Sequence, residues 1–191
     1  ARAIPDDARS GSFGADPLGT LAITGRLAEP LDTVMARAVA LVKTTMSMPR
    51  VTALSADGVA YHVAGASEAQ ELALVLATFV AYLRACERAG ISPADAMPRI
   101  SVALAADADQ FSTIAKLRAA RMLVWQMAQS CGAGDAAAKV KFNVPTSYRM
   151  MSKRDPWTNI LRTTIACAGA AIGGADAICV LPFTFALGKP D

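Results

Sequence analysis

The sequence is poor in the side chains that most catalytic sites are built from. Histidine occurs once, at His62, and the four cysteines (Cys86, Cys131, Cys167, Cys179) show no C-x-x-C spacing. A metal centre of clustered imidazole or thiolate is therefore not expected. No G-x-S-x-G turn presents a serine, which argues against a hydrolase triad. No glycine-rich phosphate loop is present either. Gly11-Ser12-Phe13-Gly14 lacks the lysine and the preceding strand, and Gly169 and Gly173-Gly174 close a helical stretch rather than open one. The longest uncharged runs, Met122 to Gly134 and Thr163 to Ala175, reach only about 13 residues, whereas a membrane-spanning helix needs about 20. No membrane partner is expected. Net charge is +3, from 19 basic and 16 acidic residues. That is too balanced for a nucleic-acid footprint. The first ten residues carry Arg2, Asp6, Asp7 and Arg9 and no apolar stretch, so no signal peptide is visible. With three of the cysteines in apolar surroundings, these features imply buried thiols and a cytoplasmic location.

Apolar residues are abundant. At 53% hydrophobic, 18% charged and a mean hydropathy of +0.34, the chain can bury a substantial core. Residues 1–15 are polar and read as a flexible N-terminal segment, with the folded domain over 16–191. Asp16-Pro17 and Gly25 bracket a helix over 17–24. Leu31, Val34, Met35, Ala38, Leu41, Val42 and Thr45 give helical spacing over 31–46. Then strands near 51–56, 99–104, 140–144 and 177–181 alternate with helices. The first of these helices carries capping-box spacing at Ser67 and Gln70 and a terminating Gly90. The others run from Gln110 to Ser130 and from Asp155-Pro156 to about Ala171. Such alternation implies an α/β fold of parallel βα units, buried on both faces. It fits a small open sheet or half of a (β/α)8 barrel. Asp107 and Asp109 follow a strand end and are acid/base candidates, one of them expected to cap the helix that starts at Gln110. His62 follows the first of these strands and is assigned no role.

Four groups of residues are familiar. They are Ala64-Gly65-Ala66-Ser67 with Glu71-Leu72-Ala73; Phe111 with Ile114 to Arg121 (I-A-K-L-R-A-A-R); Thr146-Ser147 with Asp155 to Thr164 (D-P-W-T-N-I-L-R-T-T); and Gly173-Gly174-Ala175-Asp176 with Ala186-Leu187-Gly188 and Pro190-Asp191. In this order and spacing they resemble the methylmalonyl-CoA mutase family, the cobalamin-dependent acyl-CoA mutases, over about residues 50–191. The resemblance implies the second half of a substrate-binding (β/α)8 TIM barrel.

It also implies where catalysis would sit, and this chain departs from it there. The family's catalytic Tyr-His pair falls on Val59 and Ala60, and Tyr61-His62 is displaced by two residues. The substrate-facing His and Gln before Thr146-Ser147 become Asn143 and Pro145. The polar end of the last strand becomes Cys179-Val180-Leu181-Pro182. The departures resemble the small, non-catalytic subunit of the heterodimeric bacterial mutase. That implies a subunit of an isomerase which interconverts methylmalonyl-CoA and succinyl-CoA, with no catalytic residue, metal or cofactor of its own. Its implied partner is a catalytic large subunit that carries adenosylcobalamin. Arg99 and Ser101 match positions that touch CoA, and Trp157 and Arg162 match helix-packing and partner-contact positions. The competing readings are an acyl-CoA binding module and a degenerate mutase barrel still acting as an isomerase. A half-barrel leaves open edges, expected at the strands near 51–56 and 177–181, so a homodimer is expected in isolation.

Overall fold

The computed structural model describes residues 5–188. Five strands occupy Ser10–Ala15 (β1), Arg50–Asp57 (β2), Ile100–Ala103 (β3), Phe142–Pro145 (β4) and Ala177–Cys179 (β5). The helices are Pro17–Thr24 (α1), Leu31–Thr44 (α2), Val59–Val63 (α3), Glu68–Arg88 (α4), Pro93–Ala96 (α5), Gln110–Ser130 (α6) and Thr158–Gly173 (α7). Hydrogen-bonded neighbours follow chain order, β1-β2-β3-β4-β5. Doubly wound sheets reverse their order at a switch point, and barrel walls do not. The fold is thus α/β, with parallel βα units in the order of the second half of a (β/α)8 barrel.

The polar segment over 1–15 is not wholly flexible. Its residues 10–15 form β1, paired in parallel with β2 in the register Ser10↔Arg50 and Ser12↔Thr52, with a shift before Ala15↔Leu54. Residues 1–4 lie outside the described residues, as do Pro190 and Asp191 of the fourth family stretch. Ser-Gly-Ser-Phe-Gly-Ala has no strand-like alternation, and Phe13 is exposed. The strand exists because β2 offers a free ladder, which no local pattern reveals. The expected edge at 51–56 is therefore covered, and β1 takes its place. β4 starts two residues later than expected and β5 ends two residues sooner.

Two compact units make up the chain. The first comprises Ala1–Asp57, Val75–Val102 and Leu123–Lys141. Asp16 caps α1 by accepting the Gly19 N–H at 2.9 Å and also accepts the Tyr82 hydroxyl; Gly25 ends the helix at φ 69°. α4 is long and apolar enough to cross a membrane by length and composition, but its Val75, Phe79, Tyr82, Leu83 and Cys86 are core residues.

The second unit comprises Gly58–Leu74, Ala103–Met122 and Phe142–Asp191. Here α7 lies close against α6. A Cβ at Gly173 would stand 2.7 Å from Leu117 Cδ1, and one at Gly169 would stand 3.4 Å from the Gln110 carbonyl oxygen. Arg121 donates to the Gly174 carbonyl and to Asp176 Oδ2, both at 2.7 Å, and lies over the Phe142 ring. Asp176 Oδ2 also accepts the Phe142 N–H at 2.8 Å. Trp157 stacks on Phe183 and is otherwise exposed. Arg162 donates to Asn159 Oδ1 at 3.1 Å, and Asn159 Nδ2 donates to the Ser152 and Phe183 carbonyls.

The cysteines divide. Cys86 is buried, and burial pushes its thiol up to about 11. Cys131 and Cys179 are exposed despite apolar sequence neighbours, one beyond the end of α6 and the other on edge strand β5.

Candidate functional site

In (β/α)8 proteins the residues just past the strand ends face the working side. In the second unit three such segments converge. His62, on α3 after β2, has Nε2 2.7 Å from Ser147 Oγ, which follows β4, and 3.5 Å from Asp107 Oδ2, which follows β3. Its Nδ1 faces Glu71 Oε2 at 3.5 Å. Glu71 lies in the first turn of α4. It accepts the Ala105 N–H on Oε1 at 2.8 Å and Lys116 Nζ on Oε2 at 2.6 Å. Lys116, reaching from α6, also pairs with Glu68. The His62, Glu71 and Lys116 side chains have no exposed surface. Arg149 ties the rim by donating to the His62 and Ala66 carbonyls at 2.9 and 3.2 Å.

Burial works against the charge of His62, but Asp107 and Glu71 outweigh it and hold its pKa above the ordinary value. Burial likewise opposes the Glu71 carboxylate, and His62 and Lys116 still bring its pKa below the usual one. Asp107 is held at about 2, first by His62 and also by the Ala108 N–H and Ser147.

Serine, histidine and glutamate in line resemble a hydrolytic triad, but Ser147 is buried, and its hydroxyl lies against His62 Nε2, which it shares with Asp107, so it is not presented to a substrate. Nor do the residues fit a metal. His62, Glu68 and Glu71 offer ligand atoms within 4.8 Å of one another, yet the Lys116 ammonium already bridges both carboxylates. The arrangement is a closed ion network in which Lys116 pairs with Glu68 and Glu71 and the His62 ring lies between Glu71 and Asp107, its Nδ1 facing Glu71 without a hydrogen bond.

The positions matched to CoA contacts lie elsewhere, in the first unit. Arg99 is buried, with Nη1 donating to the Met48 and Val51 carbonyls at 2.6 and 3.3 Å and Nη2 to the Met46 carbonyl at 3.3 Å. Ser101 Oγ, also buried, donates to the Leu54 carbonyl at 3.1 Å. A CoA ester would have to displace these bonds. Asp109 is the helix cap, accepting the Ser112 N–H and hydroxyl, which leaves Asp107 to His62. The network itself was missed by sequence reasoning. Its legible signal was position, because His62, Asp107 and Ser147 each follow a strand end. Glu71, Lys116 and Ser147 stood in the family stretches with no role assigned.

The methylmalonyl-CoA mutase family model matches residues 1–191. Over its full length the chain is 48% identical to the methylmalonyl-CoA mutase small subunit of Streptomyces virginiae, covering 30% of that protein. It is 37% identical to the small subunit of Propionibacterium freudenreichii subsp. shermanii over 94% of the chain and 28% of the relative. Against the methylmalonyl-CoA mutase of Escherichia coli (strain K12) it is 35% identical over 75% of the chain and 20% of the relative. The chain thus spans less than a third of the length of these relatives. A barrel-ordered parallel sheet, the family stretches placed at its helices and strand ends, and these matches together make the chain a member of the methylmalonyl-CoA mutase family.

Proposed function

We propose that this chain is a barrel segment of a small, non-catalytic mutase subunit that supports a catalytic large subunit in interconverting methylmalonyl-CoA and succinyl-CoA in the cytoplasm. The observation that carries this reading is the closed network around His62. The polar groups past β2, β3 and β4 in the second unit are spent on one another. Val59 and Ala60, on α3, hold the family's Tyr-His positions and supply no side-chain donor to a thioester oxygen. Adenosylcobalamin does not fit this chain's residues. Its one imidazole is buried between Ser147, Asp107 and Glu71, so no cobalamin step is assigned to it and the cofactor falls to the partner.

Reconstitution tests the reading. The small subunit alone, given adenosylcobalamin and methylmalonyl-CoA, is expected to show no turnover. Turnover that a substitution in this chain abolishes would overturn it. Calorimetric titration of the small subunit with an acyl-CoA is expected to give no saturable heat. Saturable binding lost in Arg99→Met would favour the acyl-CoA module.

A further inference from the structure

We propose that His62 is a proton-controlled pin that locks together the loops following β2, β3 and β4 of the second unit, and that loss of its proton loosens them. The inference does not depend on the functional reading above. Each ring nitrogen faces a carboxylate oxygen at 3.5 Å, Nδ1 that of Glu71 and Nε2 that of Asp107, and Nε2 also meets the Ser147 hydroxyl at 2.7 Å. A neutral ring carries one N–H and can donate toward only one of the two carboxylates. A protonated ring donates on both sides. The surrounding charge agrees. Around the ring stand Glu71 and Glu68 on α4, Asp107 after β3 and Lys116 on α6, with the Arg149 guanidinium on the His62 carbonyl. Within the network, three carboxylates meet one ammonium, and a protonated ring adds a second cation beside Glu71, whose side chain has no exposed surface.

Ser147 also hydrogen-bonds Asp107, which joins the loops after β3 and β4, and Arg149 donates to the His62 and Ala66 carbonyls; the His62 ring is the side chain that reaches Ser147, Asp107 and Glu71 together. The sign follows from linkage. A group whose folded pKa is raised adds stability that is full below its unfolded value of 6.5 and is lost as pH rises through the folded one. The loops past the strand ends are therefore tight below about pH 6.5 and slacken as pH rises through the raised folded-state value.

Two measurements on the full chain test this. The first follows the His62 ring proton resonances by NMR from pH 5 to 10. With a single histidine, assignment is immediate. A titration midpoint above 6.5 is expected, and a midpoint below that value overturns the proposal. The second follows amide exchange at residues 62–66, 105–108 and 146–147, corrected for intrinsic rates. Protection is expected to fall with the His62 titration, while that of β1 and β2 stays level. Protection that stays flat in all three loops overturns the proposal. Should His62→Gln fold, its loops are expected to show no such pH step. A step of equal size in that variant would assign the effect to another group.

Discussion

The two units bury polar side chains in different ways. In the first, a cation and a hydroxyl are set against backbone carbonyls: Arg99 holds Met46, Met48 and Val51, and Ser101 holds Leu54. In the second, charge is set against charge, with His62 and Lys116 facing Glu68, Glu71 and Asp107. The first arrangement needs no partner to ionise and is indifferent to pH over the range where a guanidinium stays charged. The second depends on every member holding its protonation state. Losing one leaves another buried and unpaired, which costs far more than the pair contributes.

The sharpest way to break this contrast is Lys116→Met. Glu71, with no exposed surface, would lose its ammonium, and denaturant unfolding is expected to show a loss of about 3–5 kcal/mol. The double variant Lys116→Met/Glu71→Leu should recover much of it. If it does not, the packing of the lysine stem matters more than its charge. Arg99→Met in the first unit strands buried carbonyls and is expected to cost about 3 kcal/mol. Its cost should be the same at about pH 6 and pH 9. A cost that varied with pH would erase the distinction between the units.

Acid sharpens the comparison further. Asp107 is held at about 2 against an ordinary 3.8. Its contribution is present above the ordinary value and is lost as pH falls through the folded one. Asp107→Asn is therefore expected to lower stability by about 2 kcal/mol at neutral pH and to flatten the acid limb of the stability curve between about pH 4 and pH 2. The smallest effect is expected at Ser67. Its hydroxyl accepts the Gln70 N–H at 3.4 Å, and the Gln70 side chain accepts the Ser67 N–H in return. Ser67→Ala should cost only about 0.5–1 kcal/mol, read as a lower Tm.

How much of this was legible differs by element. Asp16-Pro17 with Gly25, and Gln110 with Ser130, fixed α1 and α6 at the observed ends, because caps and left-handed glycines act over three or four residues. β1 was illegible, since its pairing partner lies 40 residues away and its own residues carry no pattern. The network failed for the same reason. His62 and Ser147 are 85 residues apart, and Glu71 and Lys116 are 45 apart. Only the parallel register brings them together. One of Asp107 and Asp109 was expected to cap α6, and Asp109, one residue before the helix, takes the cap, while the pairing of Asp107 across the strand ends had no local signal.

The close approach of α7 to α6 has a consequence for sequence drift. Gly169 and Gly173 stand one helical turn apart, and Gly173 leaves no room for even a methyl group beside Leu117. Leu161, Ile165 and Ile172 of the same helix lie open to solvent. A library sampling every residue type along Thr158–Gly173 should return a fold-dependent tolerance map with a period of four: near-invariant small residues on the side toward α6, and wide latitude on the other. A second-site change that shortened Leu117 to alanine should widen the permitted set at position 173 and leave the outward positions as they were.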